Sequence, residues 1–420
     1  MGVGSSVARQ EHDQQGNPDA TNTTTPTSHN DDDTNTTTTT TRHKEKRTGS
    51  MNLRSYSKLS NITEKMVETH RYTQRLVVTC PGCEPHWQDD HPEVVMLLAQ
   101  LGQLPALEEL VLNCVGLLEV AFPISLLTVI LEACSNLQSL QLDDVACCVS
   151  SGHPNDEVLA LARAISKQAT TGSLREFRFY GGISNIHDPN NTDLLDPLWK
   201  ALANLQSVNL EAVEDGLLGG IAPSTLQCLA QSTTLEKLHL RGFVLNDTCL
   251  KHLGLGLNSS STVLTDLSLD LLAGGSLQLA QALGATTTLQ RLHLTLTYSW
   301  TNTAFLKALA KALSHNRGSL LAIKIGTCAV FDDSTAAAFV EMLQHHNHVL
   351  QELQLGRYRG IWKPHLEYYL KLNQQKRGYF HSNFTRLTKH QWIEDGLIPV
   401  RDDLEGIFYF LQMNPILLSG

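Results

Sequence analysis

The fold is decided by the stretch Leu235-Glu-Lys-Leu238-His-Leu240-Arg-Gly-Phe-Val-Leu245-Asn-Asp-Thr-Cys-Leu250. Its opening has leucine at the first, fourth and sixth positions, and the final leucine pair alternates with polar residues at period two. That alternation is typical of a strand with one buried face. Leu250, Leu253 and Leu257 then follow helical spacing. The stretch therefore predicts a short strand followed by a helix.

The L-x-x-L-x-L opening recurs along the chain with conservative apolar replacements. Nine copies begin at Leu107, Leu137, Leu174, Leu205, Leu235, Leu264, Leu289, Leu320 and Leu350. Their mean spacing is about 30 residues, which is typical of strand-and-helix repeats. One strand and one helix cannot bury their apolar faces alone, so neighbouring copies stack, with strands in a parallel inner sheet and helices outside. The sequence predicts an α/β solenoid that curves into a horseshoe.

Residues 93–360 resemble the ribonuclease-inhibitor family of leucine-rich repeat proteins, since strand, turn and helix start follow in that family's order. The resemblance implies the horseshoe fold, on which many unrelated binding functions occur. The family usually has Asn or Cys at the ninth position of the unit, whereas here only Cys328 fits. We therefore expect the turns to satisfy their backbone groups in another way, and long insertions near residues 153–156 and 185–196 to lie in loops.

Composition divides the chain into four segments. They are a disordered Asn-, Asp- and Thr-rich tail, an N-terminal cap region, the leucine-rich repeat domain and a C-terminal capping region, at residues 1–50, 51–92, 93–360 and 361–420. The last repeat needs a cover over its open core edge. The residues expected to provide that cover, at helical spacing, are Leu404, Ile407, Phe408 and Leu411.

Charge and hydropathy restrict the classes of partner. The chain has 420 residues and a net charge of -10, so no overall basic field predicts binding to nucleic acid. No apolar run reaches the roughly 20 residues of a membrane span, and the first residues lack the pattern of a secretory signal. The cysteine count, nine, is odd and fits reduced thiols better than a disulfide framework. We expect a cytoplasmic, monomeric protein.

The N-terminus carries a lipidation pattern. Met1-Gly2-Val3-Gly4-Ser5-Ser6 fits M-G-x-x-x-[ST], in which Gly2 is myristoylated after removal of methionine. One myristoyl chain holds a membrane only weakly, and basic residues between Arg42 and Arg47 would supply a second signal, which Asp31 to Asp33 oppose. The pattern predicts a weak membrane tether through Gly2, with an ordinary disordered start as the alternative.

The predicted binding surface consists of strand residues that point away from the core. These are the third, fifth and seventh residues of each unit, and nine strands would make a face about 40 Å wide, which suits a macromolecule better than a metabolite. Tyrosine and arginine are enriched among interface hot spots. The predicted partner-binding residues are Arg178, Tyr180, His239, Arg241, Arg291 and His293. The alternative is a merely solvated face, because strands of a soluble solenoid present polar residues outward.

Two clusters carry metal-binding residue types. Cys80-Pro-Gly-Cys83 and two following histidines have zinc-like and redox-like composition, but their spacing and context favour a turn in the cap. The cluster His345 to His348 is interpreted as a polar end of a helix that begins near Ala336, where such residues suit the helix dipole. No catalytic triad, phosphate-binding loop or metal motif is recognisable. We expect no catalytic residue, metal site or cofactor.

The sequence therefore predicts a non-catalytic scaffold that binds a protein partner through the concave face. One alternative is a substrate-recognition subunit of a ubiquitin ligase, for which residues 51–92 would supply the adaptor although they lack a clear helical bundle. Another is a GTPase-activating protein of the Ran type, because those proteins resemble this repeat class. Arg241 would then be the candidate residue, but nothing distinguishes it from Arg178 or Arg291.

Overall fold

A computed structural model gives the structure of the chain. The residues it describes are 47–52, 69–79, 100–113, 122–148, 154–184, 194–212, 221–271, 275–296, 301–315, 319–327, 331–356, 358–374, 390, 407, 408 and 411. Gly2, the Cys80–Cys83 turn and Leu404 lie outside these residues, so the predictions made for them stay predictions. None of the helices in the described part is long and apolar enough to cross a membrane.

Twelve described strands form one parallel sheet. They are β1 Thr48–Asn52, β2 Arg75–Thr79, β3 Glu109–Asn113, β4 Phe122–Pro123, β5 Ser139–Cys148, β6 Glu176–Ser184, β7 Ser207–Ala212, β8 Lys237–Arg241, β9 Asp266–Leu271, β10 Arg291–Leu296, β11 Ala322–Thr327 and β12 Glu352–Leu355. The strands follow one another across the sheet in chain order, except that the two-residue β4 pairs with β5 beside β3. Among the described strands the sheet stays open, with β1 at one edge and β12 at the other.

Helices alternate with the strands. The described helices are α1 Ile124–Ala133, α2 Pro154–Thr170, α3 Asp196–Leu202, α4 Pro223–Ala230, α5 Asp247–Leu257, α6 Leu277–Ala285, α7 Thr301–Leu313, α8 Asp333–His345 and α9 Lys363–Gln374. Each links or follows strands that are neighbours in the sheet, and a short 3-10 turn, Leu101–Gln103, precedes β3. The architecture is an open α/β array of repeated strand-helix units, as the spacing of the leucines predicted.

The core lies between the sheet and the helices. In β8, Leu238 and Leu240 are completely buried while Lys237 and Arg241 are exposed, which is the period-two pattern expected of a strand covered on one face. The nine predicted strands are all present. Helical leucines such as Leu250 and Leu253 pack into the same apolar cluster.

The strands begin earlier than the sequence pattern indicated. Leu76 and Val78 of β2 take the fourth and sixth positions of a further unit and pair in register with β3. Thr73, only 8% exposed, stands where the other units have their first leucine. Because this leucine is missing, the leucine pattern did not identify the unit. β1 begins at Thr48, close to the predicted end of the tail at about residue 50, and pairs with β2.

Polar side chains in the helix-to-strand turns connect adjacent repeats. Thr262 Oγ1 donates to Ala230 O (2.6 Å), Ser319 Oγ to Thr286 O (3.0 Å) and Asn347 Nδ2 to Leu313 O (3.1 Å). Each acceptor lies at the C-terminal end of the helix in the preceding repeat, where backbone carbonyls lack partners within the helix. The turns therefore satisfy backbone groups across the boundary between repeats.

The last repeat has an incompletely covered core edge. Leu353 of β12 is only partly buried, whereas the corresponding Leu238 and Leu267 are 0% and 1% exposed. Leu411 packs against the core, but Phe408 is 62% exposed. The prediction that Phe408 covers this edge is wrong. Successive helical residues point about 100° apart, so Phe408 points away from the side on which its neighbour Ile407 is partly buried.

Candidate protein-binding face

The strand residues that alternate with the core leucines form a continuous surface, here called the polar face. Its middle row consists of residues paired across β5 to β12, namely Gln141, Arg178, Asn209, His239, Ser268, His293, Lys324 and Gln354. On β2 and β3 the same row holds Val77 and Val111. The polar row therefore begins at β5.

Two further rows flank the middle one. Residues two positions earlier are Ser139, Glu176, Ser207, Lys237, Asp266, Arg291, Ala322 and Glu352. Residues two positions later, on β5 to β11, are Asp143, Tyr180, Glu211, Arg241, Asp270, Thr295 and Gly326. Because all strands are parallel and in register, the three rows make one ordered array.

All six predicted binding residues lie on the polar face, on β6, β8 and β10. The three arginines, Arg178, Arg241 and Arg291, are exposed, while Tyr180, His239 and His293 are partly buried. Strands about 4.8 Å apart place these residues within a strip roughly 20 Å across. The structure thus brings together the residues that the sequence pattern selected.

Each predicted arginine is held by a carboxylate from a neighbouring strand. Arg241 Nη1 lies 3.0 Å from Glu211 Oε1 on β7, and its Nε lies 3.7 Å from Asp270 Oδ2 on β9. Arg291 donates from two nitrogens to the two carboxylate oxygens of Asp266. Arg178 Nε makes a longer contact, 3.9 Å, with Asp143 Oδ1. Their charges are therefore largely compensated within the face.

The turn after β8 helps to position this network. Gly242 has φ +76°, and its N–H donates to Asp270 Oδ2 at 3.2 Å. A Cβ at this position would lie 2.7 Å from Ala212 O, so a larger residue meets both backbone strain and a close contact. Gly242 therefore fixes Asp270, which in turn contacts Arg241.

The two histidines of the middle row have lowered pKa values. Burial is the main cause of the lowered pKa of His239, and its neighbours Lys237, Arg178 and Arg241 lower it further, against Asp266. Burial also lowers the pKa of His293, as do the nearby cations Lys324 and Arg241. At neutral pH both imidazoles are uncharged, and each can donate one hydrogen bond and accept one.

Some members of the face were not selected from the sequence. Asp143 holds the seventh position of its unit and pairs with Arg178, and Lys324 holds the fifth position of the β11 unit beside His293. The same counting that selected Arg178 and His293 would have found them if extended to every unit. The ion pairs themselves join residues about 25 to 35 positions apart, and only the register between strands reveals them.

The remaining candidates are clusters of metal-binding residue types, among them the histidines at the end of α8. Within the described ranges, no group of three His, Cys, Asp or Glu side chains is arranged to hold a metal ion. His345 ends α8, as expected for a C-terminal position, and its ring packs edge-on against His346 with centroids 6.1 Å apart. The helix begins at Asp333, three residues before the predicted Ala336.

Comparison with known proteins assigns this chain to no family. No protein-family model matches the chain, and no curated protein shows significant similarity to it.

Proposed function

We propose that this chain is a leucine-rich repeat protein of the ribonuclease-inhibitor kind and that it acts as a non-catalytic scaffold. In this proposal a protein partner binds across the polar face. The observation that carries it is the uninterrupted middle row of polar side chains from β5 to β12. Eight strands extend over about 34 Å, a width suited to a macromolecule.

The repeat type is supported by the leucine positions. In the best example, Leu235, Leu238 and Leu240 are all completely buried, and they stand at the first, fourth and sixth places of the unit. A mean repeat length of about 30 residues with one strand and one helix per unit agrees with the ribonuclease-inhibitor kind.

The polar face is partly organised before any partner arrives. Arg241 and Arg291 are already directed by carboxylates of neighbouring strands. Immobilising a flexible side chain on binding costs about 0.5–1.5 kcal/mol, so prior ordering reduces that cost. Tyr180 stands next to the Arg178–Asp143 pair as an aromatic contact residue.

Unpaired charges on the same face would provide selectivity. Within the described part of the chain, Glu176, Lys237 and Lys324 form no ion pair. Charged groups at an interface steer association and disfavour partners of the wrong charge pattern. These three residues are therefore our candidates for direct ionic contact with the partner.

The GTPase-activating alternative gains no support from this geometry. A residue that stabilises charge on a bound GTPase needs an available guanidinium group. Arg241 is instead flanked by Glu211 and Asp270.

The ubiquitin-ligase alternative depends on residues 51–92, of which 51, 52 and 69–79 are described. We therefore retain the scaffold as the proposed function.

Affinity capture from the native cell lysate tests this proposal. The bait is the full chain, compared with the triple variant Tyr180→Ala, Lys237→Glu and Lys324→Glu, which removes no ion pair within the face. A matched control carries Lys167→Glu and Lys251→Glu on the exposed sides of α2 and α5. Loss of one bound protein from the triple variant alone supports the polar face. Equal capture by all three baits contradicts it.

A further inference from the structure

A second surface, separate from the polar face, lies on the helical side of the sheet. A groove of about 670 Å³, here called the outer groove, runs between α7 and α8. Lys307, Lys311 and His315 line it from the α7 side, and Glu341 and His346 from the α8 side. All five side chains are exposed.

The floor of the outer groove is apolar. Met342 is 1% exposed and Ala338 is partly buried, and both belong to the lining. The groove therefore combines a floor that can contact an aliphatic or backbone segment with a rim of charged side chains. Its open form suits a chain segment lying along the helices better than an enclosed small molecule.

The charge of the rim is opposite to that of the chain as a whole. Lys307 and Lys311 stand one helical turn apart, and within the described residues neither forms an ion pair. Glu341 is the one acidic side chain among the described lining residues, while the whole chain has a net charge of -10. A local basic groove on an acidic protein favours an anionic partner.

The carboxylate of Asp332, which is close enough to Lys307 to feel its charge, is already engaged. Asp332 caps α8 by accepting from Thr335 N–H at 2.8 Å. A hydrogen bond with the Thr335 side chain is the main cause of its lowered pKa, to which the charge of Lys307 also contributes. Asp332 also accepts from Ser334 Oγ at 2.8 Å. At the other end of the groove, His315 Nδ1–H donates to Lys311 O at 3.1 Å, which fixes the position of the ring.

We propose that the outer groove binds an acidic peptide segment of a partner protein, with peptide carboxylates paired to Lys307 and Lys311. Alternate side chains of an extended peptide lie about 6.6–6.8 Å apart on one side. Residues one turn apart on a helix are separated by about 5.4–6 Å. Two carboxylates at alternate positions therefore reach both lysines. Nucleic acid is disfavoured, because the described lining has no arginine and no tyrosine, phenylalanine or tryptophan for base stacking.

The probe is a fluorescein-labelled octapeptide in which Glu and Ala alternate, titrated with the full chain at low salt and followed by fluorescence anisotropy. We expect saturable binding that weakens as salt is added. The double variant Lys307→Glu and Lys311→Glu should weaken binding about tenfold, because two attractions become repulsions. The matched control, Lys167→Glu with Lys251→Glu, has the same net charge and should stay within about twofold of the parent.

Three results would overturn the proposal. They are an absence of saturable binding, an equal loss in the two double variants, and tighter binding of a single-stranded RNA octamer than of the peptide, which would assign the groove to nucleic acid. Circular dichroism melting of each variant checks that the fold is retained. The triple variant of the polar face should bind the peptide normally, so failure of the outer groove and failure of the scaffold proposal give different results.

Discussion

His239 and His293 flank Ser268 in the middle row of the polar face. His239 pairs in register with Ser268 on β9, and His293 pairs with the same serine from β10. Ser268 Oγ lies 3.4 Å from His293 Nδ1. Two partly buried imidazoles therefore occupy the centre of the proposed binding surface, among cations that oppose their protonation.

This arrangement predicts a stability that falls in mild acid. The pKa of both histidines is lowered in the folded chain, so the unfolded chain binds more protons once the pH drops below about 6.5, the unperturbed value. The contribution of the two uncharged histidines to the free energy of unfolding is fully present above that pH. It is lost as the pH falls through their pKa in the folded chain. The measurement is the urea midpoint at pH 7.5 and 5.5. His239→Gln with His293→Gln should reduce the difference, whereas an unchanged difference would contradict the assignment.

Removal of Asp270 should weaken the network around Arg241. Asp270→Ala removes an ion pair with Arg241 and the hydrogen bond from Gly242 N–H. We expect a loss of about 1–2 kcal/mol in the free energy of unfolding, measured by urea denaturation. Glu176→Ala, which removes no described ion pair, serves as control and should change it by less than about 0.5 kcal/mol. Equal losses would contradict the network.

Gly242 and Gly172 provide a matched pair for testing backbone strain. Both have φ +76°, but a Cβ would meet Ala212 O at 2.7 Å only at Gly242, and nothing within 4 Å at Gly172. Gly172→Ala should cost about 1 kcal/mol from φ alone, and Gly242→Ala clearly more. Thermal melting of the two variants measures the difference. Equal destabilisation would show that the close contact relaxes freely.

Asn347 should be essential to the boundary between its repeat and the one before it. Its side chain is 1% exposed, donates to Leu313 O and accepts from Val349 N–H and Leu350 N–H. Asn347→Ala leaves these buried groups without partners and should cost about 2–3 kcal/mol by denaturant titration. The exposed Asn258, also in a helix-to-strand turn, is the control, and a similar loss for Asn258→Ala would contradict this role.

Local pattern predicted the repeating strands but not the partners of their charged side chains. Leucines at fixed spacing identified nine strands because burial of one strand face is a local signal. β2 escaped because Thr73 replaces a leucine, and the exposure of Phe408 depends on how its helix is rotated against the core. The pairing of Arg241 with Glu211 and Asp270 follows from inter-strand register, and the outer groove follows from the packing of α7 against α8.

Binding of a protein partner across the polar face can be tested in solution. Site-specific photo-crosslinking in native cell lysate tests it most directly, with a benzophenone amino acid placed at Tyr180, at Lys237 or, as control, at the exposed Leu255 of α5. We expect the two face positions to crosslink the same protein and position 255 not to crosslink it. Crosslinks from position 255 alone, or different proteins from the two face positions, would contradict it.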